Sequence, residues 1–236
     1  MTPDMMAAAL EATWPPAAVT RLGPWLLRDG KGGGKRVSAT TLAGAYDPAS
    51  IADAEAAMAR AGMRQLFQLG PEADALDADL AARGYKVVDP VMIYSCKLAD
   101  IAQNMPPPMT TFPHWPPLGI AVDLWAEGGI GPARLAVMHR VQGPKCAILS
   151  RNADRAAGVA FVALHGTVAV LHALEVTPLM RRKGSARHIL QAAAQWGLGE
   201  GATEFGLAVT TANAPARALY ASFGMQGVGQ YHYRQL

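Results

Sequence analysis

Apolar positions recur along the chain in two rhythms, one of short β-rich runs and one of helical spacing. Lys145 to Ser150, Gly158 to His165 and Val168 to Val176 predict three consecutive strands, with Asn152 to Ala157 and His165-Gly166 as their turns. Between Ser185 and Leu198 the period changes. Ile189, Leu190, Ala193 and Trp196 fall on one helical face. A strand from Phe205 to Val209, a short helix after Asn213 and a last strand from Val228 to Arg234 complete this half. Earlier, Ile120 to Leu124 is expected to open it as a strand, and Pro132 to His139 to form a short helix. Strands followed by alternating helices and strands predict an α/β chain with a mixed sheet and helices on both faces.

Met105 to Pro117 holds six prolines among thirteen residues, which neither a helix nor a central strand propagates through, so a linker is expected there. Residues 1–104 and 118–236 are then the two domains. The first reads as a worn copy of the second. Gly62-Met-Arg-Gln-Leu-Phe-Gln-Leu lies over Gly201-Ala-Thr-Glu-Phe-Gly-Leu-Ala, and Leu80-Ala-Ala-Arg-Gly84 over Tyr220-Ala-Ser-Phe-Gly224. The separations between the paired glycines differ by one position, as duplication of a structural unit would leave them.

With 51% hydrophobic residues, the 236-residue chain can bury a large core, yet no apolar run approaches the roughly 20 residues needed to cross a bilayer. A start carrying Asp4 and Glu11 without a basic leader is not that of a signal peptide, so a soluble, cytoplasmic protein is expected. Cys96 and Cys146 lie too far apart to suggest a metal clip, and no metal is expected. The net charge of +3 comes from scattered Lys and Arg outside one basic turn, which argues against nucleic acid.

That turn carries the clearest chemistry. Val168 to Val176 runs through Arg181-Arg-Lys-Gly184-Ser-Ala186 into the predicted helix. Helix-start amides lack intrahelical partners and the dipole adds positive potential, so a phosphate fits there. Small residues at Gly184, Ser185 and Ala186 allow close approach, while Arg181, Arg182 and Lys183 neutralise charge, which points to a diphosphate. Gly30-Lys-Gly-Gly-Gly-Lys-Arg36 does not meet the Walker spacing, since Lys35 is followed by Arg36; it reads as a glycine-rich hairpin connection. A second possibility is that Lys31, Lys35 or Arg36 reaches over the other half and touches the substrate.

Arg181, Gly184 and Ala186 match in order the Gln/Arg-x-x-Gly-x-Gly/Ala signature of the GNAT superfamily of acyl-CoA-dependent acyltransferases. Asn213-Ala-Pro-Ala-Arg-Ala-Leu-Tyr220-Ala-Ser-Phe-Gly224-Met resembles its second signature. The resemblance implies a mostly antiparallel mixed sheet flanked by helices, duplicated here, with acetyl-CoA as co-substrate. Residues 1–104 are then a degenerate GNAT-like half without the coenzyme motif, because Ala45-Tyr-Asp-Pro-Ala-Ser50 stands where that motif would be. The layout resembles that of tandem GNAT proteins.

The resemblance also implies roles. Tyr220 is the general acid near the coenzyme sulfur, and the backbone amides of Leu174 and Val176 polarise the thioester carbonyl. Asn213 is expected mainly to cap its helix, with a coenzyme contact besides. For the base, His172 and Glu175 point to opposite faces if the strand alternates regularly. His172 matches a proton-relay position of the aralkylamine N-acetyltransferases, and otherwise is a satisfied core residue; Glu175 acts through water. His139, His165 and His188 have weaker claims. Neither cysteine matches a family motif, which favours direct transfer. The expected function is an acetyl-CoA-dependent N-acetyltransferase, monomeric or homodimeric, acting on a small-molecule or peptide amine. The alternatives are a non-catalytic acyl-CoA-binding regulatory module and a nucleotide-binding protein using the glycine-rich segment.

Overall fold

The computed structural model describes residues 1–236. In chain order the elements are α1 (Pro3–Ala12), β1 (Ala18–Leu22), β2 (Trp25–Asp29), β3 (Thr41–Leu42), α2 (Ser50–Arg60), β4 (Leu66–Leu69), α3 (Asp74–Ala82), β5 (Lys86–Lys97), α4 (Leu98–Ala102) and β6 (Thr111–His114). They continue with α5 (Gly119–Glu127), α6 (Pro132–Arg140), β7 (Lys145–Asn152), β8 (Arg155–His165), β9 (Val168–Val176), α7 (Ser185–Gly199), β10 (Glu204–Thr210), α8 (Ala214–Ala221) and β11 (Gln226–Gln235). None of the helices is long and apolar enough to cross a membrane.

Strands β1, β2 and β3 form a small antiparallel sheet, and the other eight form one sheet in the order β4-β11-β5-β10-β9-β8-β7-β6. All neighbours in the large sheet are antiparallel except β9 and β10, which makes it mixed and mostly antiparallel as expected. Strands from residues 1–104 and 118–236 share it: β5 lies between β10 and β11, and β11 between β4 and β5.

Opposite faces of the sheet carry different helices. On one, α4 and α7 pack over Ile148, Val162, Ala169 and Phe205. On the other, Trp125 of α5 and Val137 and Met138 of α6 cover Ala147, Val159 and Phe161, while Met6, Ala9 and Leu10 of α1 cover Val168 and Val170. A third core joins Trp25 and Leu27 to Ile51, Ala54 and Met58 of α2 and to Leu76 and Leu80 of α3. Burying side chains of this size contributes about 1.5–3 kcal/mol each.

Two expectations change. Ile120 to Leu124 lies within the helix α5, not in a strand. Its buried residues are Ala121, Leu124 and Trp125, a three-and-four spacing that keeps one stripe on the sheet while Ile120 remains exposed. The proline-rich segment contains a strand, since Thr111 to His114 pairs with Ala147 to Ser150. Pro113 is tolerated because β6 is the sheet's edge, where an N–H facing away from the neighbour is dispensable.

The predicted turn Asn152 to Ala157 shortens to Ala153 and Asp154, both at positive φ. The glycine-rich segment does connect antiparallel strands, with Trp25 opposite Leu42 and Leu26 opposite Thr41. It is a long connection packed against α6: a Cβ at Gly33 would meet Val137 Cγ2 at 2.5 Å, and one at Gly32 would meet Ala133 Cβ at 3.3 Å.

Candidate active site

Strands β9 and β10 run side by side from Val168 to Leu171 and from Glu204 to Leu207, and there their pairing stops. Each continues on its other neighbour, β9 with β8 as far as Val176 and β10 with β5 as far as Thr210. A gap therefore opens between them, and it is bordered by two clefts. One, of about 780 Å³, is lined by Leu174, Glu175 and Val176 of β9, the basic turn, the first turn of α7 and the exposed side of α8. The other, of about 250 Å³, is lined by His172 and Ala173 of β9, by Ala208 to Thr210 of β10, and by Gly33 to Arg36 of the glycine-rich connection.

The larger cleft is built for an anion. Gly184 precedes the fifteen-residue α7 at φ 89°, a left-handed conformation that suits glycine, and no side chain caps the helix. The first amides of α7 therefore face the cleft without a capping oxygen. Ser185 is 2% exposed and its Oγ has no hydrogen-bond partner. A buried hydroxyl left unpaired is costly, and an anionic oxygen would satisfy it.

Arg181 and Arg182 line the cleft, and Arg182 sits at φ 63°. Asn152 Nδ2 fixes the turn by donating to the Lys183 carbonyl at 3.0 Å. Lys183 itself does not line the cleft, and its Nζ lies 4.0 Å from Met180 Sδ. Arg187, which the motif reading passed over, does line it, donating to Ser222 Oγ at 2.9 Å and stacking on Phe223. Its place one turn after Gly184 was the available signal. Asn213 lines the far wall and caps α8 by accepting from the Ala216 amide at 3.2 Å.

A bulge in β9 determines where its side chains go. Phe161 faces His172 and Val159 faces Glu175, so two steps on β8 match three on β9. The extra residue falls at Ala173, with φ 51°, and Trp125 Nε1 donates to the Ala173 carbonyl at 2.8 Å. The expectation that His172 and Glu175 occupy opposite faces is thereby corrected. Directly paired residues share a face, so His172 and Glu175 both lie on the α5 side with Phe161 and Val159.

His172 is 5% exposed, beside Trp14 at 5.0 Å between ring centroids. Arg36 Nη2 donates to its Nδ1 at 2.9 Å. Because a guanidinium only donates, Nε2 carries the hydrogen and gives it to Thr13 Oγ1 at 2.8 Å, whose hydroxyl donates onward to the Ala9 carbonyl. Burial, with the nearby Arg36 charge, pushes the imidazole well below its usual range. It is neutral, with both nitrogens engaged.

The Glu175 carboxylate lies against Gly128 at the end of α5, where no Cβ would fit, and pairs with Arg181 Nη2 at 3.2 Å. Arg181 also donates through Nε to the Val176 carbonyl at 3.0 Å. Tyr220 packs in the α7 core with its ring 6.0 Å from Tyr94, outside the lining of the large cleft. Burial raises its phenol to about 12, so it holds its proton at neutral pH.

Residues 109–225 match the acetyltransferase (GNAT) family. This segment belongs to the GNAT superfamily. A GCN5-related N-acetyltransferase from Kribbella flavida superposes over 100% of this chain and 96% of its own length, at a TM-score of 0.73 and 18% identity. One from Sphaerobacter thermophilus covers 92% of this chain and 82% of its own at a TM-score of 0.61 and 13% identity. A tandem GNAT protein from the clavulanic acid biosynthesis pathway covers 94% and 84% at a TM-score of 0.61 and 17% identity. At these identities the likeness is one of fold. Curated proteins provide no match. The GNAT match spans the β9 bulge, the basic turn and α8, and so contains the whole lining of the larger cleft.

Proposed function

We propose that the protein is an acyltransferase that passes the acetyl group of acetyl-CoA directly to an amine, in a cytoplasmic setting. Residues 118–236 bind the coenzyme, and residues 1–104, a degenerate GNAT-like half, cover the acceptor side. The observation that carries this reading is the uncapped start of α7, where the buried, unpartnered Ser185 hydroxyl lies among Arg181, Arg182 and Arg187. Backbone amides and guanidinium groups together suit a diphosphate. The first half has no equivalent, because the Asp47 carboxylate accepts from the Ala49 amide at 3.0 Å just before α2 and repels a second anion.

The bound thioester supplies an electrophilic carbonyl and a thiolate leaving group. The amides of Leu174 and Val176, which follow the bulge, are assigned to the carbonyl and to the pantetheine arm. As the amine nitrogen forms its bond to carbon and the C–S bond breaks, the departing sulfur takes the proton of Tyr220, which lies in the core behind Ala216 and Leu219 of the cleft wall and is assigned this role on its place in the second signature. Glu175 receives the amine proton through water. His172 is left out of the base role here, because its Nδ1 lone pair is already used by Arg36.

A non-catalytic coenzyme-binding module is the second reading. It is favoured by the same observation that both base candidates are engaged, His172 with Arg36 and Glu175 with Arg181. Calorimetric titration with coenzyme A, followed by free-thiol release from acetyl-CoA over a panel of amines, separates the readings. Turnover is expected. Binding without thiol release on any amine would leave the module, and no binding would remove both. Tyr220→Phe should lower kcat by about 10²-fold or more with coenzyme affinity retained. An unaltered kcat would take Tyr220 out of the mechanism.

A further inference from the structure

The smaller cleft holds the charge that the motif reading could not assign. Lys35, Arg36 and Arg134 line it against a single carboxylate, Asp89, which leaves a surplus of two positive charges. Lys35 spends its charge on Asp89 at 2.7 Å. Neither arginine has an acidic partner. Arg36 lies over the Trp14 ring at 5.6 Å, donates through Nη2 to the neutral His172, and keeps a buried Nε with no partner at all. The side chain of Arg134 on α6 makes no hydrogen bond or ion pair and lies beside Gly34 at the rim. Lys31 takes no part, being exposed and paired with Asp29.

A buried guanidinium donor without an acceptor is costly unless a ligand completes it, and a fork of parallel N–H groups matches a carboxylate in shape as well as charge. The cleft touches β9 at His172 and Ala173, immediately before the cleft assigned to the coenzyme begins at Leu174, so a molecule in it reaches the bulge from the other side. Its volume of about 250 Å³ falls below the range of roughly 300–1,000 Å³ typical of drug-sized ligands, which favours a compact guest.

We infer, building on the acyltransferase reading above, that the acceptor is an amine bearing a carboxylate, an amino acid or compact amino acid derivative, with Arg36 and Arg134 holding the carboxylate. Polyamines and aminoglycosides would bring like charge into a cationic cleft. The cleft also accounts for deprotonation without a free imidazole. After the carboxylate has neutralised one cation a positive surplus persists, and it favours the uncharged, nucleophilic form of the amine. The amine nitrogen then forms the amide bond as the C–S bond breaks, its remaining surplus proton passes through water to Glu175, and the thiolate leaves with the proton of Tyr220.

The test compares amino acids with their matched amides and decarboxylated amines, following thiol release from acetyl-CoA. The acids should exceed their neutral counterparts in kcat/KM by at least a hundredfold. Arg134→Gln, at an exposed position with no structural partner, should cut that ratio at least tenfold, and Arg36→Lys should do the same if it folds. Amides or carboxylate-free amines used as well as the acids would overturn the inference, as would a ratio unmoved by Arg134→Gln. Where no compound turns over, the same panel is titrated into protein saturated with coenzyme A. Preferential binding of the acids, lost in Arg134→Gln, supports the inference, whereas equal or absent binding overturns it. Failure to bind coenzyme A at all is a distinct result and sinks the acyltransferase reading instead.

Discussion

His172 shows how a side chain can be legible as important and illegible in role. Its identity and its place on the strand before the basic turn are in the sequence; the guanidinium that reaches it from 136 positions earlier is not. An apolar strand with one histidine fits both a relay and a satisfied core residue. What decides between them is that Arg36 can only donate, which fixes the tautomer and uses the lone pair a base would need. The residue therefore positions Arg36 and joins α1 to β9 through Thr13. His172→Phe should raise the acceptor KM at least tenfold by freeing Arg36, with a smaller effect on kcat and none on coenzyme affinity. A catalytic base would instead show a collapse of kcat and loss of the acidic limb of the pH profile. A stability effect accompanies it. A histidine held neutral in the folded state, below its unfolded value near 6.5, supports folding above that pH and loses this support as pH falls toward the folded pKa. The variant should lack that part of the acid destabilisation, measured by denaturant unfolding between pH 7 and 5.

At the scale of elements, the readings that held are those where a run of apolar residues is too long or too regular to be anything else. The strands β7, β8 and β9 are near-continuous buried runs covered on both faces, and the helix α7 repeats its buried positions at helical spacing. The reading of Ile120 to Leu124 failed because a short apolar run fits either period, and only the contact with Val159 and Phe161 selects the stripe of Ala121, Leu124 and Trp125. The β9 bulge was equally hidden, since one extra residue leaves no mark on composition while reversing the face of everything after it. The glycine-rich connection lay between these cases. Its turn character was plain from the sequence, but its docking on α6 depends on Gly33, whose missing side chain makes room for Val137. Gly33→Ala brings a Cβ to 3.0 Å from the Gly30 carbonyl as well, with a buried Val137 that cannot yield. Overpacking of this kind costs about 1–3 kcal/mol. The connection should lift from α6, carrying Arg36 away from His172, so acceptor kcat/KM should fall about tenfold while coenzyme titrations stay within twofold. A parallel loss of coenzyme affinity would show that the connection supports the whole sheet and not one cleft.

For the molecule as a whole, the proline-rich segment reads as a boundary, but the large sheet crosses it. The glycine separations that align the two halves say nothing about pairing, and pairing puts β11 beside β4 and β5. The last strand is held to the first half by charge as well as by its ladder. Arg234 Nη2 donates to Asp77 Oδ2 at 2.7 Å and Nε to Oδ1 at 2.8 Å, and His232 Nε2 lies 2.6 Å from the same Oδ1. Arg234 foremost, with His232, lowers the Asp77 carboxyl to about 2. A carboxyl depressed by folding stabilises fully above its unfolded pKa near 4, and this contribution disappears as pH falls through about 2. Asp77→Asn should therefore unfold more easily at pH 7 by about 1.5–3 kcal/mol, the range for a hydrogen bond to a charged group, and the deficit relative to the parent should shrink between pH 4 and 2. Because β11 neighbours β5, and β5 neighbours β10 at the gap beside the smaller cleft, the two halves should still melt in one transition. Calorimetry that resolved two separate transitions in the parent would show that the halves fold apart, and the shared sheet would then not be what couples residues 1–104 to the larger cleft.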